Sequence, residues 1–250
     1  MKRKRTGLSR TSAMHYAKLV FRSCLLLAAL TVYVRHRLRG TGGLYDSFAR
    51  IPGLLLFIWG VFMLEMILRL FPAEIESMGC QKQFRRNYRP DPAAKGAAVS
   101  HRGVGAVVLS WLALNALIAL LYFSHAIDEG ILLLISLAYS VCDMVCILFF
   151  CPFQTLFMKN RCCTTCRIYN WDFAMMFTPM ALVPRFYTWS LLFVSLVVLA
   201  QWEWRIARAP ALFCEESNES LRCANCREKL CHHKKQLHTF FRKNRIRFYR

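Results

Sequence analysis

The chain has 250 residues, 56 % of them hydrophobic and only 19 % charged, and a formal net charge of +20. Uninterrupted apolar runs at this content exclude an ordinary soluble domain and point to membrane spans. Twelve cysteines in a mostly helical chain fit metal or thiol chemistry better than a small secreted disulfide scaffold. The excess of positive charge suits anionic lipid headgroups, and no groove-reading or base-stacking motif supports nucleic acid as a partner.

Residues 1–16 form a basic N-terminal segment. The following apolar stretch lacks the small-residue cleavage site of a secretory signal, so it reads as a retained anchor. The first span is expected at 17–34. Lys18 and Arg22 lie in its first turns and must snorkel or face protein. The second span covers 51–71, with Pro52 in its first turn and Pro72 as its stop. Glu65 and Arg69, four residues apart, suggest an ion pair along one helix face. Residues 72–102 are strongly basic and carry Pro90, Pro92 and Gly96, which reads as a connector rather than a packed domain.

The third span is 104–123, with Asn115 placed to hydrogen-bond to a neighbouring helix. A short acidic loop leads into the fourth span, 130–150, so the two should form an antiparallel hairpin. Residues 168–184 are apolar but broken by Pro179 and Pro184, which suits an interfacial or partly inserted segment. The fifth span is 186–202, with Trp189 and Trp202 near its ends as aromatic anchors. Residues 205–250 form a basic tail with twelve Lys/Arg and four Glu. The fold class is therefore an all-α integral membrane protein. Five transmembrane helices within 17–204, or six if 168–184 crosses, carry a cysteine-rich cytosolic loop and a basic cysteine-rich C-terminal tail.

The positive-inside rule puts the N-terminus, the 72–102 loop and the 162–166 loop in the cytosol, at the cell (plasma) membrane. Five spans would then export the most basic segment, the tail. Six spans keep it inside, and an internal tail is the preferred arrangement.

Cys163-x2-Cys166 and Cys223-x2-Cys226 each have the gap that lets two sulfurs reach one ion. Together they could supply the four thiolates of a zinc site, with Cys162, Cys231, Cys214 and His232 as alternates. Iron, or an iron–sulfur centre, is the alternative metal. Cys142, Asp143 and Cys146 share a helix face and form a possible second polar site. The leading reading is a membrane protein with a structural thiolate–zinc site, acting as a structural, assembly or accessory subunit beside other membrane subunits. The competing reading is a membrane thiol or iron-centre oxidoreductase.

Overall fold

The computed structural model describes residues 9–40, 52–94, 96, 98–160, 162–226 and 228. Five of its helices are long and apolar enough to cross a bilayer. They are α1 (Arg10–Arg39), α2 (Pro52–Leu70), α4 (Val104–Phe123), α5 (Glu129–Leu148) and α7 (Phe186–Arg208). A short helix, α3 (Met78–Gln81), follows α2, and α6 (Asp172–Phe177) sits between two 3-10 turns, Tyr169–Trp171 and Thr178–Leu182.

The helix ends follow from local chemistry. Ser9 caps α1 by accepting from the Ser12 N–H at 3.1 Å, and Gly40 closes it in the left-handed region (φ 63°). Asp128 caps α5 through the Ile131 N–H at 2.9 Å. Gly103, ahead of α4, has φ 82°, and a Cβ there would collide with the Phe157 carbonyl. Only glycine lets the start of α4 rest on the π-turn Phe153–Phe157.

Cross-contacts fix the helix directions. The Tyr33 hydroxyl, late in α1, donates to Asp128 at the start of α5 (3.1 Å), so α1 and α5 are antiparallel. They form the most extensive helix pair in the bundle. Trp59 Nε1 donates to Ser190 Oγ (2.9 Å) and Gln201 Nε2 to the Leu70 carbonyl (3.2 Å), so α2 and α7 run parallel. The expected hairpin of α4 and α5 is antiparallel as well, but the two helices do not pack along their length.

Residues 168–184, expected at the interface or partly inserted, instead pack inside the bundle against α5 and α7. Phe173, Ala174, Met176, Phe177, Met180 and Val183 are all buried. Phe62, Met66, Leu132 and Val198 from the surrounding helices close over them. The segment starts where Asp172 meets Arg69, at the end of α2, and finishes where Arg185 meets Glu129, at the start of α5. It thus runs from one end of the bundle to the other. From Asp172 to Arg185 the thirteen steps, at 1.5–2.0 Å each, cover about 20–26 Å of a hydrocarbon core of about 30 Å. It is not a single long helix: the short α6 is followed by the 3-10 turn that holds Pro179.

With that extra traverse, the described tail returns to the end that carries Ser9, residues 72–102 and the cysteine loop. The loop read as a bare connector is part of a packed cap. Glu219 donates its N–H to the Arg89 carbonyl (2.9 Å), Asp91 its N–H to the Ser217 carbonyl (3.0 Å), and Ser220 its hydroxyl to the Asn87 carbonyl (2.9 Å). Arg222 pairs with Asp91. Glu228 accepts from Ser77 Oγ at 3.0 Å and from the Met78 N–H, while Ser9 donates to the Glu228 carbonyl at 2.7 Å. Burial pushes the Glu228 carboxyl up from its ordinary range, against those hydrogen bonds.

Candidate functional site

Three features converge where the bundle meets its cap. The first is a buried charge network. Arg22, 1 % exposed, reaches the Ser140 carbonyl and Asp143 Oδ2 at 3.0 Å each and Glu65 Oε2 at 2.7 Å. Its guanidinium also lies 5.5 Å from the centre of the Phe62 ring. Lys18 adds a second cation, 3.6 Å from Glu65 and 3.9 Å from Glu76. The two α1 cations therefore face protein. The Glu65–Arg69 pair expected along α2 is replaced by partners from other elements: Glu65 goes to Lys18 and Arg22, while Arg69 donates to Asp172 at 2.6 Å and Asn170 at 3.2 Å. An i, i+4 contact within one helix is worth a few tenths of a kcal/mol, roughly 0.2–0.5, whereas a guanidinium in a low-dielectric core must have its charge met at close range.

The second feature is Lys82, 1 % exposed beneath the cysteine loop. Its Nζ donates to the carbonyls of Thr164 (2.8 Å) and Cys166 (2.9 Å) and lies 5.2 Å from the Trp202 ring centre. Burial lowers its pKa to about 8, while the nearby Cys166 and Cys162 thiols, and more weakly Cys214, act the other way. The loop thus wraps around a lysine. Trp202 holds its far side in place, donating from Nε1 to the Arg167 carbonyl at 2.8 Å.

The third is a cavity of about 380 Å³ between α4 and α5, floored by residues 168–176. Cys142, Cys146, Cys151, Cys163 and Cys166 all line it, with Asp143, Asp172 and Trp111. Cys146 near the end of α5 and Cys151 just beyond it stand on the same wall. Cys163 Sγ donates to Gln154 Oε1 at 3.0 Å, and the Gln154 N–H approaches Cys151 Sγ at 3.4 Å. Two polar atoms on the cavity's residues lack a hydrogen-bond partner, the donor Trp111 Nε1 and the acceptor Asp172 Oδ2.

The two sequence features, Cys142/Asp143/Cys146 and Cys163/Cys166, therefore meet at one cavity, through Cys151. Cys223 is exposed and Cys226 half-buried in a 3-10 turn on the tail. Among the described residues no group of three or more His, Cys, Asp or Glu is placed to hold a metal ion. Cys231 and His232 lie outside the described residues. Lys82, Trp111 and Asp172 belong to no motif in the sequence. Asp172 carried a usable signal, as an acid in an apolar segment that must find a cation. No protein family, no curated protein and no solved structure matches this chain.

Proposed function

We propose that this membrane protein is a thiol oxidoreductase whose working pair is Cys146 and Cys151, set in the wall of the cavity between α4 and α5. One observation carries the reading: five cysteines line a single cavity, Cys146 and Cys151 among them on either side of the end of α5. Cys151 lies just past the end of α5, before Pro152, where the chain is free of the regular helix ladder. The basic end, with the thiols, faces the cytosol by the positive-inside rule, at the plasma membrane and against anionic headgroups.

A second reading keeps the thiols structural. The cysteine loop and the tail thiols share one end of the bundle, and Cys162, Cys166 and Cys214 all act on the Lys82 ammonium. In that reading zinc, or less readily iron, draws Cys163, Cys166, Cys223 and Cys226 together, with Cys162, Cys214, Cys231 or His232 as substitutes. The protein then serves as a structural or assembly subunit.

One preparation separates the two. The protein is purified anaerobically, its metal content measured, and its cysteines mapped by alkylation before and after mild oxidation with diamide. The redox reading expects a Cys146–Cys151 bridge that forms and reverses with dithiol reductant. About one zinc per chain, lost in Cys226→Ser, with Cys146 and Cys151 never bridged, would replace it with the structural reading.

A further inference from the structure

We propose that His15 is an acid-sensitive catch, which holds the first turns of α1 in the cap and lets them go when it takes up a proton. The inference is independent of the thiol chemistry. α1 has thirty residues, about 45 Å, so it is longer than a hydrocarbon core of about 30 Å. Its first turns, ahead of the span expected from residue 17, belong to the cap: Ser9 donates to the Glu228 carbonyl, and Lys18 reaches Glu76. His15 lies between those two contacts and is 4 % exposed. It is the one buried histidine among the described residues. Neither of its ring nitrogens has a hydrogen-bond partner. A neutral imidazole carries one donor and one acceptor, so both stand unmatched in the core.

The charges around it decide which way a proton acts. Lys18 and Arg22 stand three and seven residues on, along the same face of α1. α2 supplies Glu65 and Arg69, the segment after α2 supplies Glu76, α5 supplies Asp143, and Asp172 enters from 168–184. Each acid already has a cation: Lys18 serves Glu65 and Glu76, Arg22 serves Glu65 and Asp143, and Arg69 serves Asp172. None of them accepts from His15. An imidazolium there would carry two donors without an acceptor, beside Lys18 and Arg22, with Arg69 adding to the repulsion and Glu65 opposing it. The proton is therefore accommodated when the first turns of α1 move into water, where an imidazole takes it at about pH 6.5. That movement parts Lys18 from Glu76 and Ser9 from Glu228, detaching α1 from the cap. Glu228 pulls the other way, because burial favours its protonated form and acid then favours its buried state. By the positive-inside orientation the catch reads the cytosolic side.

The test uses the full chain in lipid nanodiscs. Amide hydrogen exchange is measured at pH 7.5 and 5.5, with each rate divided by the intrinsic rate at that pH. One proton taken up at about pH 6.5 by the released form alone raises its population roughly tenfold between those values. Protection across residues 10–18 should therefore fall roughly tenfold in acid, while that of α7 stays level. The fall should vanish in His15→Phe. It should vanish also in His15→Gln, which keeps a donor and an acceptor without the charge and makes the comparison if His15→Phe does not fold. A fall that persists in the folded variant assigns the effect to another group and overturns the catch. Equal or greater protection of residues 10–18 in acid in the wild type overturns it too, as does a uniform fall along all five long helices.

Discussion

Lys82 sits where burial works against its charge and two carbonyls and an indole face work for it. With a pKa of about 8 in the folded protein against about 10.5 when unfolded, the unfolded chain binds more protons between those values. Stability should therefore rise as pH climbs from about 8 toward 10.5, and the full difference is on the order of 3 kcal/mol. Other groups titrate in that window, so the comparison is with Lys82→Met. The difference in Tm between wild type and variant should move in favour of wild type as pH rises, and a difference independent of pH would refute the depressed pKa. Arg22 poses the opposite case. Its charge is met by Asp143 and Glu65, and Arg22→Met leaves Asp143 without its cation in the core and Glu65 with Lys18 alone. That should cost about 3–5 kcal/mol, read as thermal stability in detergent. Adding Glu65→Gln and Asp143→Asn should recover most of the loss. If the triple variant is no more stable than Arg22→Met, the damage comes from lost packing on Phe62 and not from charge.

At the scale of elements, what the sequence discloses depends on whether the signal is local. The five long helices are visible because each apolar run is long enough to span, and Pro52, Pro72 and Asp128 mark their ends. The packing of 168–184 inside the bundle is not legible in its own pattern, which shows only two prolines and a short apolar run, because its burial comes from neighbours brought in by the fold. The Glu65–Arg69 pair fails for the same reason. Spacing on one helix is legible, but the claim of Arg22 on Glu65, across 43 residues, is not. The cysteine spacings at 163/166 and 223/226 are real, yet the partners of Cys163 are the Gln154 side chain and the Cys146 carbonyl, reached only through the turn at Pro152. The traverse by 168–184 has a direct consequence for topology. Reporters fused before Met1 and after Arg250 should read the same side of the membrane. Opposite sides would mean that 168–184 does not cross, and the bundle described above could not form in the bilayer.

For the whole molecule, the bundle and its cap are joined by the contacts that bury the cysteine loop. Trp202 of α7 meets Phe213 of the cap edge-to-face at 4.8 Å between ring centres, and Lys82 lies near both. The tail then bridges to residues 87–91 and, through Glu228, to Ser77 and Ser9. Cys80 and Cys166 are both buried where the bundle meets the cap, Cys166 in one cluster with Phe213. Burial also raises the Cys80 thiol to about 11, so at neutral pH it is protonated as well as covered. Ending the chain at Arg208 removes Phe213 and the strap across residues 87–91 while leaving all five long helices intact. The bundle should still insert and fold, since its core clusters on α2, α5, α7 and the 168–184 segment. Membrane-permeant maleimide should then label Cys166 and Cys80 much faster than in the intact chain, with Cys166 ahead because it lies in the loop that loses Phe213. Cys24 and Cys142, exposed on the bundle, should label at the same rate in both. Unchanged protection of Cys80 and Cys166 would mean that the loop around Lys82 is held by the bundle alone, and that the tail rests on it without closing it.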